Sequence, residues 1–180
     1  MYTHATKAGW ISRSHQAISP FQLLQPDTLE EAVVAVSKNE AATFIAGGID
    51  LTRKMRGGSK WQTVIDISGI EELKGICAEG EFIRIGGLTS HWEIETNPLL
   101  KELLPQLQKA WATIGNIRIR MTGTIGGNLM AREPGYDSLV LLGAIGATLE
   151  LATPQGRISM KADNLAAEFP SSSLLVAVRV

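Results

Sequence analysis

Apolar residues recur at Leu29, Ala32, Val33 and Val36, the i, i+3, i+4, i+7 spacing of a helix buried on one face. Thr28 and Glu31 precede and enter that run in the Thr-x-x-Glu order of a capping box, so the pattern predicts a helix that starts just after Asp27. The short apolar run Thr43-Phe44-Ile45-Ala46 stops at Gly47-Gly48 and predicts a buried strand feeding a tight turn. A second strand is predicted at Thr63-Val64-Ile65-Asp66-Ile67, after a polar connection through Gly57-Gly58-Ser59-Lys60. Helix, strand, connection and strand suggest a small α/β lobe with parallel pairing.

Past Leu73 the pattern changes. Gly75-Ile76-Cys77-Ala78 and Glu81-Phe82-Ile83-Arg84-Ile85 flank Glu79-Gly80 as the arms of a hairpin would. Leu107, Ala110, Trp111 and Ile114 again have helical spacing, with Pro105 at a favourable first position and Gly115 as the stop. Tyr136 to Ala144 reads as a short buried helix. Thr148 to Ala152 and Arg157 to Met160 bracket Thr153-Pro154-Gln155-Gly156 as a second hairpin, and Leu174 to Val180 reads as a final strand. The expectation is therefore two lobes, residues 1–73 and 74–180, the first α/β and the second α+β with antiparallel strands.

Composition narrows the possible chemistry. With 17 basic against 18 acidic side chains the chain lacks the positive footprint of a phosphate-backbone binder, so nucleic acid is not an expected partner. The longest apolar run, around Leu139 to Leu142, falls far short of the roughly 20 residues that span a membrane, so no membrane association is expected. Met1 to Ser14 carries no apolar stretch of the signal-peptide kind, and a cytoplasmic location is the expectation. Cys77 is the sole cysteine, which excludes an internal disulfide and an iron–sulfur cluster held wholly by this chain. His4, His15 and His91 lie too far apart for a local metal motif, so no metal site is expected.

Four glycine pairs remain: Gly47-Gly48, Gly57-Gly58, Gly86-Gly87 and Gly126-Gly127. Without side chains, such turns let the backbone approach a bulky anion and aim successive N–H groups at its oxygens. Each pair taken singly also reads as an ordinary turn. Neither a G-x-G-x-x-G fingerprint nor a G-x-x-x-x-G-K-[ST] loop nor a G-x-S-x-G elbow is present, and no catalytic acid, base or nucleophile stands out.

Two of these segments resemble a known family. Phe44-Ile45-Ala46-Gly47-Gly48-Ile49-Asp50-Leu51 and Thr122-Gly123-Thr124-Ile125-Gly126-Gly127-Asn128-Leu129 are similar to the two flavin loops of molybdenum hydroxylase FAD subunits, the medium subunits of xanthine dehydrogenase and carbon monoxide dehydrogenase type enzymes. Val64 to Ile67, Ile85 to His91 and Ile117 to Arg120 resemble the family's intervening segments in the same order, and the resemblance runs from about Phe21 to Val180.

The resemblance implies a two-lobed FAD-binding domain of the vanillyl-alcohol-oxidase-like (PCMH) type. It implies that Ala46, Gly47, Gly48, Ile49, Asp50 and Leu51, with Thr124, Ile125, Gly126, Gly127 and Asn128, wrap FAD through backbone N–H donors from both segments converging on its diphosphate. A bulkier residue at Gly126 is then expected to expel the cofactor and spare the fold. Asp137 would accept a hydrogen bond from an FAD hydroxyl, and Ile114 and Leu175 would make apolar cofactor contacts. Asp137 also reads as a helix cap, and Ile114 and Leu175 as ordinary core residues.

The implied function is that of an FAD-dependent oxidoreductase subunit. Electrons would pass to its flavin from [2Fe–2S] clusters in a small partner subunit, while substrate is hydroxylated in a molybdopterin-binding large subunit. Alternatives are a flavin-free structural subunit of such a complex and a stand-alone flavin oxidoreductase. Two departures from the family pattern stand out. Ile49 occupies a position usually polar, and the stretch Asn164 to Ser173 is short. The family's usual C-terminal α/β domain does not follow Val180, which leaves three readings: a separate chain supplies it as a further partner, the sequence is truncated, or strong FAD binding has been lost.

Overall fold

The computed structural model describes residues 17–166 and 172–180. The Met1 to Ser14 stretch and part of Asn164 to Ser173, both read above, lie outside them. Strand β1 (Gln22–Leu24) leads into helix α1 (Leu29–Lys38), whose N-cap Thr28 accepts a hydrogen bond from the Glu31 amide at 3.2 Å. Glu31 reaches back to the amide of Asp27 at 3.0 Å, one residue earlier than a capping box requires, so the start is held from both sides. Strands β2 (Ala42–Ile45) and β3 (Thr63–Asp66) complete a parallel sheet in the order β1-β3-β2, with Ala42 opposite Thr63 and Ile45 opposite Asp66.

Between β2 and β3 lies helix α2 (Ile49–Arg56), in a stretch that the hydrophobic pattern gives no reason to call helical. Only Met55 of its eight residues is buried, so it carries no apolar stripe to read.

Strands β4 (Ile76–Glu79) and β5 (Phe82–Gly86) form the first expected hairpin, and β6 (Thr148–Thr153) and β7 (Gly156–Lys161) the second. Strand β8 (Leu174–Arg179) inserts between them, giving an antiparallel sheet in the order β4-β5-β8-β6-β7. Leu174 to Val178 are all buried because β8 is covered on both faces and both edges.

The register of β8 on β6 slips by one residue: Leu149 faces Val178 and Glu150 faces Ala177, but Leu151 faces Leu175. Val176 is the extra residue of a bulge. The bulge turns Leu175 and Val178 to one hydrophobic cluster while Leu174 and Val176 face another. The first cluster fills the space between the large sheet and its helices around Trp111, Ile125 and Leu142; the second joins that sheet to α1 and β3 through Leu29, Ile65 and Leu73.

Short helices fill the long connection from β5 to β6. These are α3 (His91–Thr96), α4 (Pro98–Leu103), α5 (Pro105–Trp111), α6 (Ile117–Thr122), α7 (Ile125–Met130) and α8 (Ser138–Ala144). The apolar repeat predicts a helix reaching Ile114, but α5 stops at Trp111. There the amides of Thr113 and Ile114 bond three residues back, to Ala110 and Trp111, and Gly115 turns the chain with φ of 59°. No helix among the described residues is long and apolar enough to cross a membrane.

Candidate functional site

The turn after β2 and the helices after β5 enclose a cleft of about 480 Å³, within the ~300–1,000 Å³ usual for small-molecule sites. Every position expected from the sequence lines it except Ile125, whose side chain is wholly buried in the main hydrophobic cluster.

The first glycine turn is built to expose donors. Gly48 caps α2 with φ of 70°, a left-handed conformation that favours glycine, and supplies no side-chain cap bond. Thr52 is the first residue beyond the turn whose amide bonds within the chain, to Gly48 O at 3.0 Å. Among the described residues the amides of Gly47, Gly48, Ile49, Asp50 and Leu51 donate to no backbone carbonyl. Gly47 serves a different need: a Cβ there would fall 1.8 Å from Thr122 O, so only glycine lets this turn pack against the C-terminal end of α6.

The second glycine segment behaves otherwise and corrects the expectation of two donor loops. It is not a loop but the first turns of α7, capped by Thr124, and its amides are used internally. Ile125 N–H bonds Thr89 O at 2.9 Å, Gly126 N–H bonds Gly87 O at 2.8 Å, Gly127 N–H bonds Thr124 Oγ1 at 3.0 Å and Asn128 N–H bonds Thr124 O at 2.9 Å. Ile125 to Asn128 therefore contribute shape to the cleft, not a set of free backbone donors.

A Cβ on Gly126 would stand 2.6 Å from Gly87 O, so a bulkier residue there must separate α7 from the large sheet. That corrects the expectation that Gly126 is replaceable without cost to the fold. Gly127 is exposed, lines the cleft, and would bring a Cβ near only the Thr124 hydroxyl, at 3.1 Å. Asn128 accepts a hydrogen bond from Ser138 Oγ, which ties α7 to α8.

Asp137 occupies the N-cap position of α8 but makes no side-chain cap bond, so its exposed carboxylate is left facing the cleft. The capping alternative is not realised. Ile114 and Leu175 are both core and cleft residues: each packs on the main cluster and each lines the wall. Ile49, the apolar departure, sits on the first residue of α2 and lines the cleft.

Asp50 uses its carboxylate within the protein, 2.5 Å from Arg53 and 2.7 Å from Lys54. Partial burial opposes its ionisation, but the hydrogen bonds from Lys54 and Arg53 outweigh this and hold its carboxyl below the ordinary value. Glu133, in the turn after α7, lies 3.1 Å from Arg53 and 3.2 Å from Lys54, so ion pairs bridge the two sides of the cleft mouth.

Sequence reasoning missed several polar residues of the wall, among them Lys54, Ser173 and His91. Ser173 Oγ is the buried side-chain polar atom without a hydrogen-bond partner among the described residues. His91 is 2% exposed and accepts a hydrogen bond at Nδ1 from Trp111 Nε1–H at 3.1 Å. Burial, with a smaller push from Arg120, lowers its pKa to about 4, so the ring is neutral near pH 7. Its signal in the sequence is faint: one histidine just after the Ser90 cap, paired with a tryptophan twenty residues on.

A family described as the FAD binding domain in molybdopterin dehydrogenase matches residues 19–180. The nicotinate dehydrogenase FAD-subunit of Eubacterium barkeri is 34% identical over 146 residues, covering 78% of this chain and 49% of that protein. The carbon monoxide dehydrogenase medium chain of Hydrogenophaga pseudoflava is 33% identical over 145 residues, covering 79% and 50%. Among solved structures, carbon monoxide dehydrogenase from Hydrogenophaga pseudoflava superposes with a TM-score of 0.87 at 30% identity, over 92% of this chain and 60% of that one. Quinoline 2-oxidoreductase from Pseudomonas putida 86 gives the same TM-score at 23% identity, a likeness of fold. The chain spans about half the length of the curated relatives it matches.

Proposed function

This chain belongs to the family of FAD-binding domains in molybdopterin dehydrogenase, and from that membership we propose that its cleft holds FAD and that the chain serves as the electron-transfer subunit of a molybdenum-dependent dehydrogenase complex. The observation that carries the reading is the run of amides from Gly47 to Leu51, free of internal acceptors, at the wall of a cleft of suitable size. These amides, at the positive end of α2, suit a diphosphate without any lysine or arginine. Gly127 leaves room for the ligand to lie against α7, Asp137 accepts from a ribose or ribityl hydroxyl, and Ile114 and Leu175 form an apolar wall.

Bound FAD exchanges one or two electrons, which joins one-electron iron–sulfur centres to a two-electron acceptor. The residues of this chain bind and orient it, and none is proposed as a catalytic acid, base or nucleophile. Cys77 alone holds no cluster, so the [2Fe–2S] centres belong to a small partner subunit and the molybdopterin to a large one. The division into a lobe of residues 1–73 and one of 74–180 is part of the same proposal, supported by the change from parallel to antiparallel pairing between Asp66 and Ile76.

One observation favours a flavin-free scaffold instead: the α7 amides have no capacity left for a diphosphate. Affinity capture of the tagged chain from its native cells decides between the two. The flavin carrier predicts visible bands of both flavin and iron–sulfur centres in the captured complex. Iron–sulfur bands with no extractable flavin would establish the scaffold.

A further inference from the structure

His91 opens α3 against the wall of the cleft, held by its own amide on Gly123 O at 3.0 Å and by Trp111. Trp111 Nε1–H donates to Nδ1 at 3.1 Å, and the two rings lie tilted with centroids 5.8 Å apart. A neutral imidazole that accepts at Nδ1 carries its proton on Nε2. That Nε2–H has no acceptor among the described residues, and it is not among the buried unpartnered side-chain atoms, so it is open to the cleft rather than sealed in the core. A Cβ on Gly123 would lie 3.1 Å from His91 Cδ2 and 3.4 Å from Nε2, so a side chain there would cover the edge that carries the proton. Gly123 leaves it open.

Position indicates what the proton meets. The Gly47 turn, with its free amides, packs on Thr122 O, Gly123 follows, and His91 packs on Gly123. The imidazole edge therefore lies beside the donors that suit an oxygen-rich anion.

We propose that His91 is a binding residue of the cleft: its Nε2–H donates a hydrogen bond to an oxygen of the diphosphate–ribityl part of the bound dinucleotide, and Trp111 is the positioning residue that selects this tautomer. The inference rests on the FAD reading above. A neutral donor adds no countercharge, so it rewards a ligand whose oxygen sits at one place and not anions in general.

The test is an FAD titration of the full chain and of His91→Leu, His91→Gln and Trp111→Phe, together with nitrogen-resolved NMR of the imidazole. Loss of one buried donor predicts affinity weaker by about tenfold in His91→Leu. His91→Gln, which keeps an acceptor and a donor, recovers most of the affinity. Trp111→Phe, which keeps the ring but frees Nδ1, weakens binding to a lesser degree. In the wild-type chain FAD shifts the Nε2–H resonance and slows its exchange with water, a change that a structural histidine would not show. Wild-type affinity in a folded His91→Leu overturns the inference and leaves the cofactor reading standing. Should His91→Leu not fold, an Nε2–H resonance unmoved by FAD overturns it alone. Absence of FAD binding by the wild-type chain overturns both.

Discussion

Gly126 and Gly127 are neighbours with different constraints. Gly126 is pressed on Gly87 O, and Gly127 opens on the cleft. Gly126→Val is therefore expected to destabilise the chain by about 1–3 kcal/mol through forced separation of backbones, measured by chemical denaturation. Gly127→Val leaves stability nearly unchanged in the same measurement. At His91 burial has a pH signature. Its pKa is lowered from 6.5 to about 4, so between these values the unfolded chain binds more protons than the folded one. Stability is full above pH 6.5, falls as pH drops through that window and levels off below 4, a loss on the order of 3 kcal/mol. Denaturation midpoints across that range check it, and His91→Leu removes this component.

At the scale of elements, strands β2, β3 and β8 and the two hairpins were legible because their apolar runs are bounded by turn residues, whereas the three-residue β1 was not. Helix α1 was legible because it has both a stripe and a cap. Helix α2 was not, because a helix that buries only Met55 leaves no periodic mark. Helix α7 was hidden by the glycines that let it approach Gly87, residues that in sequence signal a loop. Of the candidate site positions, all but Ile125 gather at one cleft. Its donors were misassigned because sequence shows where glycines stand but not which amides a neighbouring carbonyl already occupies. The bridge from α2 to the turn after α7 is a surface feature and should behave as one. Glu133→Gln is expected to lower stability by less than about 1 kcal/mol, with the difference shrinking at high salt, when both proteins are denatured at low and high ionic strength.

Across the whole molecule, the bulge at Val176 lets one strand serve two cores, and β8 thereby ties the parallel sheet to the antiparallel one. The end of that strand, from Ser173 to Leu175, also lines the cleft, so its wall belongs to the most deeply buried strand of the protein. A cleft so anchored is largely preformed, and ligand binding there should need little rearrangement. The most direct measurement is equilibrium titration of the purified chain with FAD, followed by flavin fluorescence, alongside Gly127→Val. The account predicts saturable binding at one FAD per chain, lost in Gly127→Val while the protein remains folded. No saturable binding by the wild-type chain, or equal binding by a folded Gly127→Val, would contradict it.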